Sequence, residues 1–169
     1  MKLDHSAIGL GNAMELLNLD VIREYGGALL QGLVITVVLT LIVITIALVL
    51  AIPVALIRMS PIFLLRTIGS IYVEVIRGTP LLLQLAYIYY VMPGFGLNLD
   101  PLSAAILGLS LNYTAYMSEV YRGGILAVPK HQWEAAATVG MTKTVAFYRI
   151  ILPQALRIVT PTLGNYFIS

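Results

Sequence analysis

The sequence has no cysteine and very little charge. Without a thiol, disulfides, thiolate catalysis and cysteine-ligated zinc or iron–sulfur sites are excluded. Lys, Arg, Asp and Glu make up 11% of the 169 residues, against roughly 25% in a soluble domain. What fills the space is apolar, at 59% of the chain. A fold this small leaves a large share of its surface exposed and cannot hide that much apolar side chain. A water-soluble monomer is therefore excluded, and so is a disordered chain, which would be polar and highly charged. A net charge of +2 with no basic cluster among aromatics gives no footprint for nucleic acid. The two histidines, His5 and His131, suggest no metal site. None of Lys2, Lys130 and Lys143 follows a glycine, so the chain has no P-loop and binds no nucleotide cofactor that way.

The remaining charge is unevenly placed. Residues 1–24 hold Asp4, Glu15, Asp20 and Glu24 and lack the basic start of a secretory signal peptide. From Tyr25 to Ile57 no residue is charged. A bilayer core needs about 20 helical residues, so this run predicts a first span over about 28–57, with Pro53 kinking or closing its last turn. Its many β-branched residues do not make it a strand, because a lone strand leaves its backbone unsatisfied in lipid. A second helix is predicted over 67–91, bending at Gly78-Thr79-Pro80, where Pro80 clashes with the carbonyl of Ile76. The turn-rich run from Pro93 to Pro101 follows, then a third span over 102–120 ending at Tyr121-Arg122-Gly123-Gly124. The segment 158–169 is apolar but too short to cross, and predicts a fourth span cut off by the end of the sequence. The expected fold is all-α, a polytopic transmembrane helical bundle truncated at its carboxyl end.

Lys and Arg near span ends set orientation. The first loop holds Arg58 and Arg66, the second holds neither type, and the third segment holds Arg122, Lys130, Lys143, Arg149 and Arg157. The first and third loops are therefore expected in the cytoplasm, and residues 1–24 outside.

The third loop, 128–157, reads as structured. Pro129 suits a first helical position, Glu134-Ala135-Ala136-Ala137 are strong helix formers, and Gly140 suits the left-handed residue after a helix. Thr142 is expected to cap a second helix that Pro153 interrupts. On that helix Met141, Val145, Tyr148 and Leu152 form one apolar stripe, and Phe147 and Ile151 another. Two apolar sides need two partners: the bundle itself and, for the other side, a separate protein.

Glu134-Ala135-Ala136, Gly140, Ile150, Leu152 and Pro153 resemble the EAA loop in the permease subunits of bacterial ATP-binding-cassette importers. Arg77-Gly78-Thr79-Pro80-Leu81-Leu82-Leu83-Gln84, Leu30-Gln31-Gly32 with Thr36, and Arg122-Gly123-Gly124-Ile125 are similar to the polar amino acid subfamily. The resemblance covers residues 25–169. It implies a type I ABC importer transmembrane domain in a bacterial inner membrane, with the loop docking in a groove of a separate ATPase. It further implies an extracytoplasmic amino-acid-binding protein and a second permease subunit, identical or related. ATP would be used by the partner ATPase, and this chain would hold no cofactor. The sequence departs from the family by lacking the rest of span four and all of span five.

Glu74 and Arg77 lie three apart on one helix face, as do Glu119 and Arg122. A deep charge needs a partner or a wet cavity, so Arg77 is a candidate for holding a gate through Glu74. Arg122, nearer the cytoplasm, has the competing reading of snorkelling. Gln84 and Asn112, with Tyr113, Thr114, Tyr116 and Tyr87, are candidates for a polar pathway; helix packing uses the same residue types. Tyr87, Tyr89, Tyr90 and Trp133 also fit an interfacial belt. Two other classes stay open. An ion- or proton-driven carrier would show a midplane carboxylate, which the positions of Glu74 and Glu119 disfavour. A non-transporting scaffold would use the loop only to recruit a partner.

Overall fold

The computed structural model describes residues 19–166, with side chains over 25–166. The expected extracytoplasmic placement of 1–24, His5, and the last three residues of the short apolar segment fall outside the described side chains. Among the described residues the chain is helical, with no strand. It divides into two units, Met1–Leu39 and Thr40–Ser169.

Helix α1 (Leu19–Arg58) supplies the described part of the first unit and enters the second. In the first unit Leu29, Leu30, Leu33, Val34, Val37 and Val38 are exposed, and Thr36 donates its hydroxyl to the Gly32 carbonyl at 2.9 Å. In the second unit α1 turns Ala47, Ala51 and Ala55, four residues apart, to the inside, while Val49, Leu50 and Ile52 stay exposed. Small residues on the packing face let helix backbones approach where lipid supplies no hydrophobic drive. Pro53 neither closes nor ends α1, which runs on to Arg58.

The helix expected over 67–91 is two helices. Helix α2 (Phe63–Gly78) stops at Thr79, which is extended, as the residue before a proline prefers to be. Pro80 is extended too, and α3 (Leu81–Ala86) starts a new direction. The axes of Phe63–Gly78 and Leu81–Phe95 differ by 104°. Pro80 thus produces a break with two extended residues rather than a bend in one helix. After α3 the chain widens into a π turn (Tyr87–Val91), then tightens into a 3₁₀ turn (Met92–Phe95).

Helix α4 (Pro101–Ala127) begins on Asp100, whose side chain accepts from the amides of Leu102 and Ser103. It runs past Gly123-Gly124 and ends at Val128, the residue before Pro129. By length and composition, α1 is apolar enough to cross a membrane, and the α2–α3 pair is a second if the two make one span. Helix α4 is not, because its middle carries Asn112, Thr114 and Ser118, all buried. It is the central helix of the second unit, packed against α2, α3 and α7 (Leu152–Asn165). Gly124 permits the α4–α7 crossing: a Cβ there would come within 2.1 Å of Val159 Cγ1 and 3.3 Å of the Ala155 carbonyl oxygen.

Two apolar clusters hold this unit. Ile44, Ala47, Ala51 and Met117 form one, with Leu163 and Tyr166 of α7's end against it. Ile125, Val128, Ile151 and Ala155 form the other, with Met59, Trp133, Phe147 and Ile150 around it.

The candidate functional site

The segment after α4 folds as a compact helical elbow. Pro129 is the cap of α5 (Lys130–Thr138) rather than its first residue. At the other end Gly140 has φ +76°, its amide donates to the Ala137 carbonyl, and the Met141 amide donates to that of Ala136, both at 3.0 Å. This pair of bonds is a Schellman closure, which favours glycine at the left-handed position. Thr142 caps α6 (Lys143–Ala146), accepting from the Val145 amide. A second π turn (Phe147–Ile151) then leads into α7. Pro153 does not interrupt the helix; it sits in the first turn of α7, and the widening comes before it. Both π turns end two residues short of a proline, Pro93 and Pro153. A proline lacks the amide and crowds the carbonyl four residues back, and a wider turn relieves both.

The two expected apolar sides of the elbow have different fates. Ile151 is fully buried and Phe147 stacks on Trp133 with ring centroids 6.4 Å apart, so this side belongs to the second cluster. Trp133 therefore packs within the elbow. Gln154 donates to Gln132 at 3.2 Å and ties α7 to α5. On the other side Val139 (70%), Tyr148 (61%) and Val145 are exposed. Glu134 and Ala135 are exposed as well, while Ala136 is buried; Ile150 and Leu152 are half-buried and Pro153 is exposed.

The polar candidates divide into three groups. Arg77, Asn112 and Tyr116 line one open cleft of about 460 Å³, together with Gly78, Thr79, Pro80, Leu81, Tyr113 and Tyr166. Arg77 does not pair with Glu74: its guanidinium lies over the Tyr116 ring, 5.1 Å from the centroid, and Glu74 is exposed. Such a cation–π contact steadies the cation and leaves its N–H groups for an anion. Tyr113 and Tyr166 meet edge to face at 6.2 Å and form an aromatic wall. The cleft can receive a carboxylate at Arg77, with rings beside it for the rest of a small zwitterion.

Gln84 is next to the cleft but serves the break. Its amide nitrogen donates to the Ile76 carbonyl at 2.7 Å, to the Thr79 carbonyl at 3.1 Å and to the Thr79 hydroxyl at 2.6 Å. Its oxygen accepts from Asn112 at 3.1 Å, linking the break to α4. Thr114 is buried with no hydroxyl partner among the described residues, and Tyr87 lies on an apolar groove with Val75, Leu83 and Leu111.

Glu119 and Arg122 do pair, as their spacing suggests, but a third residue joins them. One oxygen of Glu119 takes Arg122 Nη2 and the other takes Arg58 Nη1 from the end of α1; Arg122 Nε also lies 3.4 Å from the second oxygen. None of the three lines the cleft. Tyr113 lines the cleft with the other pathway candidates, whereas Arg58 and Tyr166 are site residues the sequence did not single out. For Arg58 the only sequence signal was a cation at the end of the uncharged run.

Residues 44–169, well over half of the chain, match the family described as binding-protein-dependent transport system inner membrane component. Among curated relatives, the chain is 53% identical over 112 residues to the L-cystine transport system permease protein TcyB of Bacillus subtilis (strain 168), covering 66% of this chain and 48% of that protein. It is 41% identical over 158 residues to the probable amino-acid ABC transporter permease protein PatM of Vibrio harveyi, covering 89% and 66%. The chain thus spans about half to two thirds of the length of these relatives. Its fold resembles the crystal structure of an amino acid ABC transporter with histidines, with a TM-score of 0.83 and 40% identity over 88% of this chain and 69% of that one. The helical bundle with its capped elbow belongs to the family of binding-protein-dependent transport system inner membrane components.

Proposed function

We propose that this chain is the permease subunit of an ATP-driven importer that carries a polar amino acid inward, and that a separate ATPase drives it through residues 128–157. One observation carries the reading: in a chain of this family, a capped elbow leaves Val139, Val145 and Tyr148 uncovered, with Glu134 of the same elbow exposed too. Exposed apolar side chains on a braced surface next to a charge suit a docking partner. A push on α5 and α6 would reach α4 and α7 through Trp133, Phe147 and Ile151, which pack against Ile125 and Ala155. The ATPase must bind the outward- and inward-open states with different free energies for this to shift them.

The cleft around Arg77, Asn112 and Tyr116 is the proposed pathway, with Arg77 meeting the substrate carboxylate. The names of the relatives support an amino acid as cargo. The assembly would include ATPase subunits, an extracytoplasmic binding protein and a second permease subunit, identical or related. The chain would cross the inner membrane several times with its amino terminus outside. ATP would be held by the ATPase alone.

Uptake by the assembled transporter in proteoliposomes tests this. Amino acid entry should require both ATP and the binding protein. Glu134→Ala and Gly140→Val should leave hydrolysis running while uptake falls, because one removes a docking charge and the other strains the left-handed closure. Uptake driven by an ion gradient without ATP would instead identify a secondary carrier. Partner binding with no uptake would identify a scaffold.

A further inference from the structure

The Arg58–Glu119–Arg122 cluster is not explained by the cleft or by the exposed face of the elbow. Glu119 has both oxygens engaged, one by Arg122 on its own helix and one by Arg58 from α1. The Arg58 side chain is 11% exposed, and its Nε is buried with no hydrogen-bond partner among the described residues. The contact with Glu119 is therefore its principal compensation for leaving water. Helix α2 backs the same side chain: a Cβ on Gly69 would lie 2.9 Å from Arg58 Cγ and 2.9 Å from Ile57 Cγ2. Three helices thus meet at Arg58. The next residue, Met59, packs against the cluster of Ile125, Val128, Ile151 and Ala155 on which the elbow rests.

We propose that Glu119 is a positioning residue: its carboxylate locks the end of α1 to α4 and so fixes the seat beneath the elbow, without touching substrate. This rests on the importer reading above. A half-buried ion pair adds little net stability over apolar packing. What it adds here is a directional contact that sets one register between two helices whose shared cluster, Ile44, Ala47 and Ala51 with Met117, is apolar and nondirectional. The lock stays closed through the cycle, so that a push on the elbow moves α1 and α4 together. Without it, part of each push would be lost as relative sliding of the two helices.

The test measures ATP hydrolysed per amino acid moved in proteoliposomes containing the complete transporter. Glu119→Gln should raise that ratio about fivefold, the lower end of typical coupling effects, with the substrate KM unchanged. Arg58→Gln should raise it by a similar factor, because Glu119 then keeps only Arg122, which lies on its own helix and cannot hold α1. The double variant Arg58→Gln with Glu119→Gln should match Glu119→Gln alone rather than add to it, since both changes remove the same contact. Because this chain has no cysteine, Arg58→Cys with Glu119→Cys offers a second route that needs no stable neutral variant. Bridging the two thiols with a short reducible cross-linker should restore tight coupling, and reduction should release it. A changed KM at constant ratio would make Glu119 a pathway residue and overturn the proposal. An unchanged ratio in Glu119→Gln would overturn it too, as would a cross-link that arrests transport. If the unmodified transporter shows no ATP-dependent uptake, the importer reading fails first and the positioning role falls with it.

Discussion

Gln84 donates a hydrogen bond at 2.7 Å to the carbonyl oxygen of Ile76, the acceptor that Pro80 cannot serve. A helix ordinarily bonds that oxygen to the amide four residues on, and position 80 has none. The side chain replaces the missing donor and holds the 104° break in one shape.

Replacing Gln84 by Leu should therefore expose the break. The half-buried Ile76 carbonyl keeps only the Thr79 hydroxyl at 3.4 Å, and Asn112 loses the oxygen it donates to. The expected loss is about 1–3 kcal/mol. Gln84→Glu should do equal or greater harm, since an ionised carboxylate has no hydrogen to give. Thermal unfolding of the detergent-purified protein measures both; a midpoint unmoved in both variants would show that the staple holds nothing.

Gly124→Ala puts a methyl group against Val159 and should cost about 1–3 kcal/mol through overpacking. Val159→Ala in the same chain should restore most of it, because the nearest atom is a Val159 methyl. A double variant no more stable than the single one would mean that the Ala155 backbone, not Val159, sets the closeness of α4 and α7.

Arg77→Gln should lower uptake, with KM rising about tenfold if the guanidinium meets the substrate carboxylate by a charge-assisted bond. Tyr116→Leu removes the ring under the cation and should have a smaller effect of the same sign. Full uptake with normal stimulation of ATP hydrolysis in Arg77→Gln would remove this residue from the pathway.

Asp100 gives a pH prediction with a definite sign. The Ser103 side chain and amide, with the Leu102 amide, hold its carboxyl below the usual carboxylate range. A group whose folded pKa is depressed contributes stability that is present above its unfolded pKa and fades as pH falls through the folded one. The start of α4 should thus loosen as acid is added, seen as faster amide exchange at Leu102 and Ser103 relative to the intrinsic rate. Asp100→Asn, which still caps but does not titrate, should flatten that response.

Much of this was written locally in the chain. The uncharged run became α1, Gly140 took the left-handed turn, and Thr142 capped where its hydroxyl suggested. Pro80 marked the break because the clash is with a residue only four positions away. Arg77, Asn112 and Tyr116 came together because polar groups in an apolar chain collect where they find one another or water. The partnership of Arg58 with Glu119 was not legible, since 61 residues separate them and composition says nothing about which helices touch. Glu74 misled for the complementary reason. Its spacing from Arg77 permits a pair, but the guanidinium lies over a ring from another helix. The π turns were hidden as well, because one extra residue in a turn leaves the apolar spacing on either side intact.

That extra residue has a structural consequence. Were Phe147–Ile151 wound as an ordinary helix with the same number of residues, everything beyond it would rotate by about 100°. Val159 would then swing off Gly124 while Trp133 and Phe147 stayed stacked. Excising a single residue there would produce a plain helix with both ends still facing their neighbours. The loosely wound coil is thus a length adjuster, and it keeps two independently built halves of the carboxyl-terminal region in step.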